Sequence, residues 1–182
     1  MDLKQMKAHQ KHPKLNFNTS LQSTSLMWNP LSFFKSSTDK LLSASDKQQL
    51  VQAIQLAEKT TSGEIRVFVE SKTKNGDALA TAREIFFKQK MNATQERNGV
   101  LVYVAVSEKK LAIYADQVIY DKVGVEFWYS QVQEMTAHFK SANYVQGMVQ
   151  VIGALGKALT DHFPFDRVLD TNELSDEIMT GK

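Results

Sequence analysis

The feature that most constrains the fold is a run of seven apolar residues in the middle of the chain, Val100–Val106, which reads VLVYVAV. Branched residues dominate the run and no charged residue interrupts it, a pattern typical of a strand buried on both faces of a sheet. Strands of this kind occur in α/β proteins, in which helices cover both sides of the sheet. The chain is therefore expected to build its core around this strand.

Two neighbouring segments predict the rest of the sheet. Residues 64–69 alternate apolar and polar side chains as a half-buried strand does, and a predicted helix, residues 77–91, follows them. A strand, a helix and a second strand in this order make the two strands parallel. Residues 111–115 alternate in the same way after a short polar turn, which predicts an antiparallel hairpin partner for the central strand.

Helices are predicted before and after these strands. The first is expected to begin at Ser45, which has capping-box spacing to Gln48, and two more follow the hairpin until Pro164 ends the last one. Three glycines of that last helix are expected to allow close packing on the sheet: Gly147, Gly153 and Gly156. The predicted fold class is α/β, a three-layer sandwich whose mixed β-sheet holds a parallel βαβ unit and a β-hairpin, with helices on both faces.

The predicted organisation is one domain between two polar tails. Residues 1–32 are polar with little periodicity and predict a disordered N-terminal tail, residues 33–165 form the domain, and residues 166–182 form an acidic C-terminal tail. Five apolar residues stand out near the end of the first tail: Met27, Trp28, Leu31, Phe33 and Phe34. They are either a docking patch for the domain or a remnant of the tail.

Composition excludes several classes of protein. The chain has no cysteine, so disulfides, zinc–thiolate sites and thiol nucleophiles are excluded, and a reducing compartment is favoured. A net charge of +2 is too small to indicate a nucleic-acid-binding protein. No stretch approaches the roughly 18 apolar residues of a membrane helix, and no apolar segment follows the first lysines as in a signal peptide. We therefore expect a soluble, cytoplasmic monomer without a membrane span or a nucleic-acid partner.

One group of polar residues carries chemistry in the predicted topology. Glu64 opens the first strand, and Asn98 directly precedes the central strand. The antiparallel partner returns Asp116, and Asp121 after it, toward the same edge of the sheet. Oxygen-bearing side chains of this kind are the ligands that hard cations prefer. The sequence predicts a metal site of Glu64, Asn98, Asp116 and Asp121 at this edge.

The predicted register and a simpler interpretation both bear on this site. If Val106 faces Leu111 across a tight turn, Asp116 faces Leu101, roughly 10 Å from Asn98. Asp121 lies nearer if the strand continues, and Asp116 fits better if the strand ends early. The alternative is that these residues are ordinary capping and surface charges, with Glu64 paired to Arg66 on the same strand face.

Several segments, taken in order, resemble one family. They are SGEIRV at 62–67, TQERNGVLVYV at 94–104, IYAD at 113–116, the pairs Phe127–Trp128 and Phe163–Pro164, and Asp170–Ile178. Together they resemble the TPM domain family, which includes thylakoid lumen proteins of photosystem II repair and acid-phosphatase-like proteins. The ending resembles its short, soluble bacterial branch.

The resemblance implies an α/β sandwich and, for some members, calcium binding and weak acid-phosphatase activity. The family's metal site lies near the entry of the central strand, which corresponds by position to Asn98, Asp116 and Glu64. Many relatives carry an acidic pair where this chain has Arg97–Asn98, which removes negative charge from the site.

Three functions follow as hypotheses. The first is a divalent-cation-binding, calcium-binding accessory or adaptor module with an unknown protein partner. The second is a weak metal-assisted phosphatase, in which Arg97 contacts the phosphoryl group and a metal-bound water attacks. The third is a metal-free interaction domain that uses the apolar patch around Trp28.

Overall fold

A computed structural model describes residues 41–165 and 172–181 of the chain. Within these ranges the chain forms, in order, α1 (Ala44–Glu58), β1 (Ile65–Glu70), α2 (Ala78–Lys88), β2 (Val100–Ala105), β3 (Lys110–Ala115), α3 (Gln117–Val123), α4 (Val125–Lys140), α5 (Tyr144–His162) and β4 (Met179–Thr180). One turn of 3₁₀ helix, Met91–Ala93, precedes β2. The predicted N-terminal tail, residues 1–32, lies outside the described residues.

The strands form one mixed sheet in the order β3-β2-β1-β4. β1 runs parallel to β2, with Ile65 opposite Val100, and it also runs parallel to β4. β2 and β3 are antiparallel. The sheet therefore contains the parallel βαβ unit and the β-hairpin that the sequence predicts, and the α/β fold class is confirmed.

The sheet separates two apolar cores. On one face Ile65, Val67 and Val69 pack with α1, α4 and α5, and on the other Leu101 and Tyr103 pack with α2. Every residue of β2 is buried, as its continuous apolar run indicates. Each large side chain buried in this way stabilises the fold by about 1.5–3 kcal/mol, so β2 anchors both layers.

The first helix begins slightly before the predicted residue. Ser43, not Ser45, is the cap: its Oγ accepts from the Asp46 backbone N–H, and Asp46 Oδ2 accepts from the Ser43 N–H at 2.9 Å. The capping box therefore uses Asp46 at the third helical position, where a carboxylate also interacts well with the helix dipole.

The hairpin register differs from the predicted one by two residues. Val104, not Val106, lies opposite Leu111. The turn over residues 106–109 is centred one residue earlier than predicted: the Lys109 N–H donates to the Val106 carbonyl at 3.1 Å, and Lys109 adopts a left-handed conformation with φ of 54°. As a result the Asp116 N–H donates to the Gly99 carbonyl at 2.9 Å, which places Asp116 next to Asn98 instead of opposite Leu101.

The described part of the predicted acidic C-terminal tail packs on the sheet. In the described part, residues 172–181, Met179 pairs with Phe68 of β1 and the Gly181 N–H donates to the Val69 carbonyl at 3.1 Å. Leu174 and Met179 pack against the α2 core. These apolar residues lie between the acidic ones, and their burial holds the segment against the sheet.

Two of the three α5 glycines pack on neighbouring helices, whereas the sequence predicts that all three pack on the sheet. A Cβ at Gly156 would lie 2.5 Å from the Ala57 Cβ of α1, and one at Gly147 would lie 2.7 Å from the His138 Cβ of α4. Gly153 is exposed, with no neighbour within 4 Å of such a Cβ. Only the first two positions therefore need glycine for a close approach.

This difference predicts opposite effects for two substitutions in one helix. Gly156→Ala should lower the free energy of unfolding by roughly 1–3 kcal/mol because it forces α1 and α5 apart. Gly153→Ala should raise it by up to about 1 kcal/mol because alanine is the better helix former. Urea unfolding of both variants measures the two values, and equal effects would contradict the packing of α1 on α5.

Candidate cation site at the sheet edge

Three predicted site residues come to one edge of the sheet, where β1 and β2 begin and β3 ends. The Val100 N–H donates to the Glu64 carbonyl at 2.8 Å, and the Asp116 N–H donates to the Gly99 carbonyl. Glu64, Gly99 and Asp116 therefore lie side by side on three neighbouring strands. With strands about 4.8 Å apart, the backbones of Glu64 and Asp116 are about 10 Å apart, with Asn98 beside the strand between them.

Glu64 is an almost fully buried carboxyl group, 4% exposed. Its Oε1 accepts from the Glu173 N–H at 2.8 Å, which ties the C-terminal segment to β1. Its Oε2 is buried and has no hydrogen-bond partner in the described part of the chain. Burial raises the pKa of Glu64 to about 7, and the negative charges of Glu173 and Asp176 contribute to the rise.

Asn98 presents a second buried oxygen. Its Nδ2 donates to Ser62 Oγ at 3.2 Å and to Glu96 Oε2 at 3.4 Å, and Ser62 also donates to Glu96. Because the Glu96 carboxylate can only accept, these contacts fix which end of the amide is the nitrogen. The Asn98 Oδ1 is left buried without a partner among the described residues.

Asp116 has other partners. Its Oδ2 lies 2.7 Å from the Arg97 Nε, and its Oδ1 accepts from the Val118 N–H at 3.5 Å as the cap of α3. The Asp116 hydrogen bond raises the pKa of Arg97, whose left-handed backbone, φ 56°, precedes β2. Arg97 is thus ion-paired with Asp116. The phosphatase hypothesis instead requires the Arg97 guanidinium to contact a phosphoryl group.

Asp121 is placed apart from the other three. It lies on α3, exposed to solvent, and its Oδ1 accepts from the Gln117 side chain at 2.6 Å, one helical turn away. The sequence predicts no helix here, and α3 carries this residue out along the surface instead of along the sheet edge.

Two further acidic residues border the site, and sequence reasoning missed both. Glu58 and Asp176 line a cleft of about 200 Å³ together with Glu64. The Glu58 Oε1 accepts from the Ile65 N–H at 2.6 Å. Burial, together with repulsion from Glu64 and Asp176, raises the pKa of Glu58 to about 8. The cleft thus holds three carboxyl groups, of which burial and repulsion disfavour the ionised forms of Glu58 and Glu64.

A cation, Arg66, lies on the same strand face as Glu64. Its Nε is buried without a hydrogen bond in the described structure. Burial lowers the pKa of Arg66, and the negative charges of Glu64 and Glu58 oppose this decrease. Arg66 therefore interacts with the acidic cleft through charge, and no ion pair within 4 Å joins it to Glu64 in the described residues.

Neither a complete metal centre nor a membrane helix is present in the described ranges. Across residues 41–165 and 172–181, no three acidic or histidine side chains are grouped as metal ligands. None of the helices in the same ranges combines the length and hydropathy needed to cross a membrane.

Comparison with models of known protein families identifies the family of this domain. The model of the TPM domain matches residues 36–158, which is more than half of the chain. The chain belongs to the TPM domain family. The resemblance seen in the sequence is confirmed, and the TPM domain here carries the α/β sandwich that it implies.

Solved structures agree with this assignment. The BA42 protein from the psychrophilic bacterium Bizionia argentinensis is 40% identical, with a TM-score of 0.73 over 81% of this chain and 100% of that protein. The N-terminal domain of the cg2496 protein from Corynebacterium glutamicum shares the fold at 13% identity, with a TM-score of 0.55 over 75% of this chain and 88% of that domain. Comparison with curated proteins gives no match.

Proposed function

We propose that this TPM domain is a divalent-cation-binding accessory module, and that Glu64 and Asn98 hold calcium at the sheet edge. The observation that carries the proposal is the Glu64 Oε2, a buried carboxylate oxygen without a hydrogen-bond donor in the described structure. Burying such an oxygen destabilises the folded state unless a hydrogen-bond donor or a cation contacts it. The Asn98 Oδ1, equally buried and unpartnered, belongs to the neighbouring strand entry.

The donor set fits a hard cation better than a transition metal. Carboxylate and amide oxygens suit calcium, which takes six to eight oxygen ligands including backbone carbonyls and water. Two side chains supply a minority of these ligands, so the expected affinity is modest. Glu58 and Asp176 add negative charge to the cleft, which favours a cation without requiring them as direct ligands.

Asp116 and Asp121 stay predictions as ligands. Asp116 would have to give up Arg97, and Asp121 would have to turn inward from α3. A bound cation would favour the ionised form of Glu64, whose other oxygen accepts from Glu173, and so would stabilise the C-terminal segment against β1. A protein partner for this segment, a monomeric state and a cytoplasmic location are predictions that accompany the accessory role.

Thermal unfolding with and without calcium tests the proposal. At 100 times its dissociation constant, calcium should raise the free energy of unfolding by about 2.7 kcal/mol. Glu64→Gln should abolish most of this gain because it removes the ligand's charge and keeps its shape.

Glu84→Gln, on the exposed face of α2, is the matched control, since it makes the same chemical change at a residue outside the proposed site. It should keep the full gain. A calcium effect that is equal in wild type and Glu64→Gln, or absent from wild type, would contradict the proposed site.

A further inference from the structure

An apolar groove lies at the opposite end of the sheet, where β1 and β2 finish. Its volume is about 440 Å³, within the range of ligand pockets. Apolar side chains from both strands, the chain entry and α5 line it: Leu41, Leu42, Val69, Val104, Val106 and Met148. The groove is separate from the cation site, which lies where these strands begin.

The chain enters the domain through this groove. Leu41 and Leu42, the first described residues, are only 6% and 4% exposed and already belong to its wall. The chain that precedes Leu41 is therefore joined to the domain at this groove. Within residues 27–34, which read MWNPLSFF, five of eight side chains are large and apolar, and Phe34 is seven residues from Leu41. Seven residues span at most roughly 25 Å, which is enough to bring this segment over the groove.

The aromatic segment precedes the residues that the TPM domain model matches. The TPM domain model begins at residue 36, and 81% of this chain suffices to cover all of BA42. The first residues of the chain are thus outside the shared domain. Trp28, Phe33 and Phe34 therefore precede the part of the chain that the family model matches.

We propose that residues 27–34 dock into this groove of their own chain, with Trp28, Phe33 and Phe34 as the anchoring side chains. Aromatic side chains bury large apolar areas, and the groove offers valine, leucine and methionine surfaces to them. The short connection gives an effective concentration on the order of millimolar, which favours the segment of the same chain over any free partner.

Paramagnetic broadening in the full-length protein tests this docking. The chain has no cysteine, so Asn143→Cys places a single nitroxide at the exposed rim of the groove. The expected result is strong loss of signal intensity for the Trp28 indole and the amides of Phe33 and Phe34. Gln95→Cys, at the other end of the sheet, is the matched control and should leave these signals intact. The triple variant Trp28→Ala, Phe33→Ala, Phe34→Ala should bind more of an apolar dye and melt several degrees lower.

Three outcomes would overturn the proposal. In the first, the label at residue 143 leaves the segment's signals unchanged. In the second, the label at residue 95 broadens them equally. In the third, the broadening appears only when labelled protein is mixed with isotope-enriched, unlabelled protein, which would show that a second copy supplies the segment. None of these measurements involves calcium, so they stand apart from the test of the cation site.

Discussion

Replacing Glu58 with glutamine should stabilise the cation-free domain near pH 8 and flatten the dependence of its stability on pH. Glu58 and Glu64 share an acidic cleft, and burial raises the pKa values of these two groups to about 8 and about 7. In the unfolded chain both groups titrate near 4.5. The folded protein therefore holds more protons than the unfolded chain between these values.

The sign follows from this proton difference. The contribution of these two acids to stability is fully present below about pH 4.5 and is lost as the pH rises through about 7 and 8. One pKa unit corresponds to 1.36 kcal/mol, so we expect a loss of roughly 3 kcal/mol or more between about pH 5 and pH 8. Glu58→Gln removes one of the two groups and keeps an oxygen to accept from the Ile65 N–H.

Urea unfolding in the presence of a chelator, at several pH values across this window, measures the effect. Glu84→Gln, on the exposed face of α2, is the control and should leave the slope unchanged. A wild-type stability that rises steadily from about pH 5 to pH 8 would show that the cleft does not hold protonated carboxyl groups.

Replacing Asp116 with alanine should be among the most destabilising substitutions at the sheet edge and yet spare calcium binding. Asp116 is 2% exposed, its carboxylate pairs with Arg97 at 2.7 Å, and it caps α3. Loss of a cap costs about 0.5–2 kcal/mol, and loss of a hydrogen bond to a charged group costs about 1.5–3 kcal/mol. The expected total is about 3 kcal/mol, or roughly 6–12 °C in melting temperature.

Two comparisons separate a structural role of Asp116 from a ligand role. Asp116→Asn retains the oxygen that caps α3 and should cost less than Asp116→Ala. Asp121→Ala, on the exposed face of the same helix, should change stability by less than about 0.5 kcal/mol. If calcium affinity falls with Asp116→Asn as much as with Glu64→Gln, Asp116 is a ligand and the assignment to Glu64 and Asn98 alone is wrong.

The sheet, and the edge of it that carries the candidate cation site, could be predicted from local patterns in the sequence. The uninterrupted run at Val100–Val106 predicts a central strand because only burial on both faces favours seven apolar residues in a row. The helix capped by Asp77 connects the two parallel strands, and Asp77 Oδ1 accepts from two backbone N–H groups of α2. Parallel pairing then places Glu64 and Asn98 at one edge without any knowledge of side chains.

The remaining features depend on contacts between distant residues. The predicted hairpin register is wrong by two residues because the turn over residues 106–109 is centred one residue earlier than predicted, and composition does not reveal this position. β4 has only two residues among acidic neighbours, so its pairing with Phe68 leaves no periodic signal. Glu58 reads as an ordinary residue near the end of α1, and only its meeting with Asp176, more than a hundred residues later, makes it part of a cleft.

The most direct test of the cation site is a calcium titration followed by NMR of the Asn98 side-chain amide and the Glu64 side-chain carboxyl carbon. If the site is as proposed, both signals shift together and saturate at the same calcium concentration, and the Glu64→Gln variant loses the Asn98 response. Saturable shifts confined to other acidic residues, with Asn98 and Glu64 unmoved, would show that the buried oxygens at the start of β1 and β2 do not bind the cation.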